Sequence, residues 1–428
     1  VLVAGGKATR MGALAAATPK PMLPFGGRPL LAHHVDLLER AGVGRVTILA
    51  GHAAEGIASR MGELARPGVR LELAVETRPR GSGGCLRGIP GPGGETLLVL
   101  FGDVLLDMDL AELLRFHRRH GGLATAVVHP NDHPQDSDLA ELDPEGRILA
   151  LHRKPHPPDL EARNLVTAGV FVVEPELVAQ IPTDRPCDLV HDMLVPAVEG
   201  GVPVFGYRST EYLKDIGTPE RFRAVTVDWE GGRVAARHRS RRRPAAFLDR
   251  DGTLNRHVGL LTRPEEIELL PRAAEAVRRL NLAGVLTVVI TNQPVIARGL
   301  CDERTLSRIH ARLEMALGAE GAYLDALYHC PHHPDGGYPG EIPHLKRACS
   351  CRKPEIGMVE AAVRDLPVDL GRSALFGDTW RDVEAARRAG LPAYWIGGET
   401  SPGASAAGDL SAAVEDWLAR SSAAATNS

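Results

Sequence analysis

The sequence predicts an α/β protein built as two three-layer domains, each a largely parallel sheet with helices on both faces. Three observations carry that expectation. Short apolar runs alternate with amphipathic stretches from end to end, the pattern of repeated strand–helix–strand units. At 428 residues the chain is longer than one hydrophobic core usually serves. The segment FLDRDGTLN, residues 247–255, is an apolar run ending in an acid pair and a Gly-Thr turn, a domain start lying mid-chain.

In the first half the candidate strands are 1–4, 46–50, 70–75, 97–101 and 123–128, with helical patterns over 29–41 and 108–119. In the second half the strands are 245–248, 285–290, 325–329 and 373–376, and the helices 271–283, 302–318, 355–365 and 380–389. Their Val/Ile/Leu-rich runs suit strands buried on both faces. The predicted domains are 1–230 and 245–400, and a tail, 401–428, is expected to hold a short helix near 408–419 and then fray. Residues 231–244 carry seven Arg or His and no apolar periodicity, which reads as a solvated linker, with an anionic docking patch as the alternative.

Composition excludes several classes. A formal charge of -4 argues against nucleic acid as a main partner. No apolar run approaches the roughly 18–20 residues of a membrane helix. The opening VLVAGGKATR is no signal peptide, and Val1 in place of Met suggests residues ahead of it. Cys85, Cys187 and Cys301 are scattered, so no disulfide framework is present and a reducing, cytoplasmic setting is expected.

The first half carries phosphate chemistry. A buried strand runs into Gly5-Gly6 and then Arg10, where backbone amides approach phosphate oxygens and a guanidinium adds a fork of donors. Lys20 stands between Pro19 and Pro21, which stiffen the chain around it. Asp103 ends a strand, placed to hold a metal, and Asp215 lies in a Gly- and Pro-bounded turn. Taken one at a time, these are ordinary caps and solvated charges; their order along the chain is the signal.

The stretches AGGKATRMG, PKPMLPFGGRPLL, ETRPRGSGG, FGD, RKP, TAGVFV and DIGTPE resemble the sugar-1-phosphate nucleotidyltransferases over 1–226. The resemblance implies a GT-A-like sheet, Mg²⁺ on Asp103 and Asp215, and a triphosphate held by Arg10 and Lys20. It places Lys154 on the sugar phosphate, the turn containing Gly169 beside the sugar, and the base near Glu76 and Gly81. The Glu76 carboxylate can accept from guanine N1–H and its amino group, which favours GTP over ATP. Ala8 and Arg153 depart from the family, which has Gly and Glu there.

The second half carries acid and hydroxyl groups at strand ends. Asp249 and Asp251 emerge on one side of a strand end because side chains repeat every second residue. Thr291-Asn292 closes the strand 285–290, Arg352-Lys353 begins a helix, and Asp378 ends a fourth strand with Asp382 after it. Cys330, His332, Cys349 and Cys351 form two chelating pairs around a 16-residue loop. Four N/S ligands leave no open position, so they read as a structural Zn²⁺ site. A Cys349–Cys351 disulfide, or His329 or His333 in place of His332, is the alternative.

These motifs are similar to the haloacid dehalogenase superfamily of phosphatases over 244–397, and the metal loop with TNQ, ARG and CRKP narrows the likeness to heptose-1,7-bisphosphate 7-phosphatases. Histidinol-phosphate phosphatases share the loop. The likeness implies Asp249 as nucleophile, Asp251 as acid and base, and Thr291 and Lys353 on phosphate oxygens. It adds Asn292 and Arg352 on substrate, and Mg²⁺ on Asp249, Asp378 and the Asp251 carbonyl. Pro294-Val295 and Thr379 replace residues usual in that family. The expected whole is two Rossmann-like domains acting in sequence on a phosphorylated heptose and a nucleoside triphosphate. A hexose-1-phosphate transferase, or a first half that only binds, is the competing reading. Homo-oligomerisation is left open.

Overall fold

The structure is a computed structural model; it describes residues 1–428 except 7–8, 13–17, 53, 90–93, 158–159, 398–401 and 427–428. The chain divides into two compact units. One comprises Val1–His129, Asp138–Arg153 and Leu165–Arg239; the other comprises Pro130–Ser137, Lys154–Asn164 and Ser240–Ser428.

The first unit is built on a nine-stranded sheet. Leu2–Ala4 lies between Arg45–Ala50 and Leu97–Phe101, parallel to both, and Arg70–Val75 extends the parallel side. The expectation of a parallel sheet fails on the other side. Val166–Val173 runs antiparallel to Leu97–Phe101 and to Ala124–His129, and Leu139–Leu142 and Ile148–His152 form a further antiparallel pair. Leu100 and Val170 pair across this junction, fully buried like their neighbours, so the apolar runs look the same in either direction. A small two-stranded sheet, Tyr212–Asp215 against Val104–Asp107, lies off the main one. Two buried clusters, around Ile48 and Leu100 and around Val99 and Phe171, cover the two faces.

The second unit holds a six-stranded, all-parallel sheet in the order Ala326–Cys330, Leu286–Asn292, Ala245–Leu248, Ala374–Gly377, Ala393–Ile396, Ser405–Ala407. The first of these in sequence, Ala245–Leu248, sits in the middle. The chain builds outward on one side of it and then returns to build on the other. That reversal leaves a crevice at the carboxyl ends of the central strands, where ligands bind in such sheets.

Three expectations change. Residues 231–244 are not a featureless linker: Arg233–Ala236 is helical and Val234 and Arg243 are buried. The tail helix is longer than 408–419, running Leu410–Thr426, and it belongs to the core. Leu410, Ala413, Val414 and Trp417 repeat at helical spacing and are buried, with Trp417 edge-on to Phe376. The segments 130–137 and 154–164 fold into the second unit, where the Arg163 guanidinium forks onto the buried Glu314 at 2.8 and 2.5 Å and the Asn164 amide donates to it at 2.9 Å. No periodicity announces such a contact, because its partners are 151 residues apart. Among the described residues, no helix is long and apolar enough to cross a membrane.

Candidate functional site

In the first unit, Gly5, Gly6, Lys20, Glu76, Gly81 and Asp103 line one cavity of about 400 Å³, a volume in the range of small-ligand sites. Gly5 and Gly6 follow directly on Leu2–Ala4. Gly81 opens the short helix Gly81–Gly84, whose Gly83 and Gly84 amides donate to the Cys187 carbonyl. Lys20 reaches Asp103 with a 2.7 Å ion pair. Asp215 lies opposite Val104 in the small sheet, and the Ile216 amide donates to the Asp103 carbonyl, so the two acids end adjacent strands. Asp215 is held by Arg221 at 2.8 Å and by the Gly217 amide at 2.8 Å. Arg10 comes against Gly217. Glu76 is buried except for an edge and pairs with Arg80 at 3.1 Å.

Two expected features stand apart from this cavity. Gly169 lies where the register of Val166–Val173 against Ala124–His129 shifts, packed on Phe101 and Val104. Lys154 belongs to the second unit, where its ammonium donates to the Asp136 carbonyl at 2.7 Å. Ala8 lies outside the described residues.

In the second unit the strand ends converge as expected. Lys353 is buried between Asp249 at 2.8 Å and Asp382 at 2.6 Å. Burial works against its ammonium, but the two carboxylates outweigh burial and raise its pKa. For Asp249, burial outweighs Lys353 and pushes the carboxyl up to about 7, with Asp382 adding to it. Asp378 rises to about 6, from burial first and then Asp382. The Asp249, Asp378 and Asp382 carboxylates lie within 4.8 Å of one another, and Asp378 Oδ1 is buried with no partner among the described residues. Three crowded acids facing one ammonium lack positive charge, and a hard divalent cation fits that deficit.

Asp382 was passed over as a site residue in the sequence. It caps the helix Trp380–Ala389, accepting from the Thr379 amide and hydroxyl, while its other oxygen takes Lys353. The signal was present as an acid three residues after a capping Thr, which reads equally well as a plain capping box. Asn292, expected on substrate, instead holds the backbone of Lys353 through both ends of its amide, at 3.0 and 2.9 Å. Arg352 and Lys353 lie in the turn before the helix Gly357–Asp365 and not at its start as expected, and Arg352 donates to the His332 carbonyl at 3.1 Å, tying that turn to the metal loop.

Asp251 is held differently from Asp249. The fully buried Arg250 forks onto it, and Asn255 and Gln293 donate to its two oxygens at 2.9 Å each. Burial alone would raise its pKa; Arg250 first, then Asn255 and Gln293, outweigh burial and lower it. Gly252 makes the turn beside it, at φ +81°, and a Cβ there would lie 1.9 Å from Asp378 Oδ2. Gly252→Ala is therefore expected to cost about 1–2 kcal/mol in backbone strain and to displace Asp378. Denaturant unfolding and phosphate release at saturating Mg²⁺ check both effects, and nucleotidyl transfer should be unchanged.

Cys330, His332, Cys349 and Cys351 present their ligand atoms within 4.8 Å of one another. The sulfurs are 3.1 to 3.6 Å apart, far beyond the roughly 2.05 Å of a disulfide, and all six cysteines are free. His332 presents Nδ1, 3.3 Å from Cys351 Sγ. Hydrogen bonds from Cys330 first, then Cys349 and His332, draw the Cys351 thiol down to about 5. The donor set fits a tetrahedrally held metal ion, and the sulfur separations set the disulfide alternative aside.

Comparison with known proteins finds one family in each half of the sequence. Residues 1–230 match the family Nucleotidyl transferase, and residues 350–419 match the HAD-hydrolase-like family. A D-glycero-beta-D-manno-heptose-1,7-bisphosphate 7-phosphatase from Rhodopseudomonas palustris is 40% identical over 158 residues, 37% of this chain and 86% of its own. A mannose-1-phosphate guanylyltransferase from Mycobacterium tuberculosis is 32% identical over 231 residues, 53% of this chain; the chain spans only 63% of that enzyme's length. The solved D,D-heptose 1,7-bisphosphate phosphatase from B. bronchiseptica, complexed with magnesium and phosphate, is 34% identical and covers 41% of this chain and 99% of its own, at a TM-score of 0.36. The chain belongs to the nucleotidyl transferase family in its first half and to the heptose-1,7-bisphosphate 7-phosphatases in its second, and is an enzyme of both kinds.

Proposed function

We propose that the chain carries out two consecutive steps toward a nucleotide-activated heptose. The observation that carries this reading is a cluster of phosphate-handling residues in each unit, with chemistries that connect. Removing the C7 phosphate of D-glycero-D-manno-heptose 1,7-bisphosphate leaves a heptose 1-phosphate, the class of substrate a sugar-1-phosphate nucleotidyltransferase takes.

In the phosphatase step, the Asp249 carboxylate attacks phosphorus while Thr291 and Lys353 hold the phosphoryl oxygens. The P–O7 bond breaks and Asp251 gives O7 its proton. Asp251 then takes a proton from water as that water attacks the aspartyl phosphate, releasing phosphate and restoring Asp249. Mg²⁺ would be held by Asp249, Asp378 and the Asp251 carbonyl, neutralising the charge that gathers there. We assign Zn²⁺ to the Cys330, His332, Cys349 and Cys351 cluster, in a structural role.

In the transferase step, an oxygen of the sugar 1-phosphate attacks the α-phosphorus and pyrophosphate leaves. Arg10 and Lys20 neutralise the triphosphate, and Asp103 and Asp215 would hold Mg²⁺. Two unit charges about 4 Å apart repel by roughly 4 kcal/mol at an effective dielectric near 20, so positioning and neutralisation dominate.

Incubating the chain with the bisphosphate, Mg²⁺ and each of the four nucleoside triphosphates, while following phosphate, pyrophosphate and nucleotide sugar, tests the whole reading. GTP is expected to lead by at least ~10-fold in kcat/KM, the worth of one charged hydrogen-bond pair, and Glu76→Gln should narrow that lead. Clear preference for ATP sinks the Glu76 argument. The guanylyltransferase relative supports a second reading for the sugar, mannose 1-phosphate; pyrophosphate released with it and not with heptose 1-phosphate would decide for that reading.

A further inference from the structure

Gln293 lies two residues beyond Thr291, is buried, and has no part in the chemistry above. Its backbone amide is fixed to the Cys330 carbonyl at 2.8 Å. Its side-chain Nε2 donates to Asp251 Oδ2 at 2.9 Å and to Thr291 Oγ1 at 2.8 Å. Arg250 donates to both Asp251 oxygens, so the face they turn to Gln293 accepts, and the end of the amide facing Asp251 is the NH₂. Both hydrogens of that one group are thereby assigned, one to each partner.

The consequence for Thr291 is directional. A hydroxyl has one hydrogen; with its oxygen accepting from Gln293, that hydrogen is left to point elsewhere, as the phosphoryl-holding role needs. The consequence for Asp251 is positional. Arg250 and Asn255 grip Oδ1, and Gln293 holds Oδ2, the oxygen that only it and the Arg250 fork contact. Removing the Gln293 donor leaves Oδ2 to Arg250 Nη2 alone and shifts the balance of donors that sets the plane of the carboxylate.

We infer that Gln293 is a positioning residue: its buried amide orients the acid/base carboxylate of Asp251. This rests on the phosphatase reading and adds to it a residue that touches neither substrate nor metal. If it acts through Asp251, its loss slows the breaking of a bond whose leaving oxygen needs a proton. It leaves nearly untouched a bond whose leaving group departs as a stable anion.

The test uses the full chain with Mg²⁺ and compares the first turnover on the heptose bisphosphate with that on p-nitrophenyl phosphate. Gln293→Met keeps the length of the side chain and removes the donor without adding a charge; Gln293→Leu is the second variant should the first fail to fold. Acid–base catalysis contributes about 10²–10⁴-fold when intact, so misorientation is expected to slow the first turnover of the sugar ester by about 10–100-fold. The nitrophenyl ester should slow by less than about threefold, with KM for both within about twofold. In an Asp251→Asn background the same substitution should add nothing on the sugar ester, since its effect runs through that carboxylate. Equal slowing of both esters, or full additivity with Asp251→Asn, overturns the inference while leaving the phosphatase reading in place. A wild-type chain that releases phosphate from neither ester overturns that reading, and the inference with it.

Discussion

Asp249→Asn is expected to lower phosphate release from the heptose bisphosphate by at least ~10⁴-fold, the scale seen when a covalent nucleophile is removed. Pyrophosphate release from supplied heptose 1-phosphate and GTP should not change. The amide has the shape of the carboxylate but no nucleophilic oxygen, so no aspartyl phosphate forms. The fold should survive, because Lys353 keeps Asp382 at 2.6 Å as its counter-charge, and the amide that replaces the Asp249 carboxylate has no charge to bury. Asp103→Asn should do the reverse, since it removes the partner of Lys20 in the other unit. Both variants are checked by denaturant unfolding and by separate assays of phosphate and pyrophosphate. Loss of both reactions from either substitution in a folded protein would mean that the two sites do not work independently.

What the sequence revealed of these sites follows from where their residues sit. Asp249, Thr291, Asp378 and Cys330 lie at or just beyond the carboxyl ends of buried strands, and such runs stand out in a sequence. Parallel packing then brings their ends together without further information. Asp382, after Asp378, and Gln293, within TNQ, carry no assigned role in the sequence because each has an ordinary local explanation, a helix cap and a polar loop residue. Their importance comes from partners 29 and 42 residues away. Asn292 was misjudged for a similar reason: an amide at a strand end suggests a ligand, but here its partner is the backbone of Lys353, 61 residues on. Strand direction in the first unit was hidden by burial on both faces. The folding of 154–164 into the second unit was hidden by reliance on single ion pairs and hydrogen bonds in place of an apolar stripe.

Cys351→Ser is expected to release the metal of the Cys/His cluster and, with it, most of the phosphatase rate. Between His332 and Cys349 the chain forms no regular structure except the short 3₁₀ turn Pro343–Leu345, and besides the ligands it is held by the Ile342–Ala297 backbone bond, Arg298 over Tyr338 and Leu345 on the core. Structural Zn²⁺ sites in small domains are worth about 10–16 kcal/mol apparent; here the six-stranded sheet has its own core, and the loss should concentrate in the loop. The route to activity is short. Cys351 is followed by Arg352, which donates to the His332 carbonyl, and then by Lys353, which holds Asp249. On the other side, the Cys330 carbonyl anchors the backbone of Gln293. A loosened cluster therefore disturbs the phosphate-holding ammonium and the support of Asp251 together. The variant should lose about one equivalent of bound metal and become cleavable by protease within 333–348, while pyrophosphate release persists. A variant that keeps its metal and its phosphatase rate would show that Cys351 is no ligand. One that loses the metal yet keeps the full rate would mean that Lys353 and Gln293 hold their places without it.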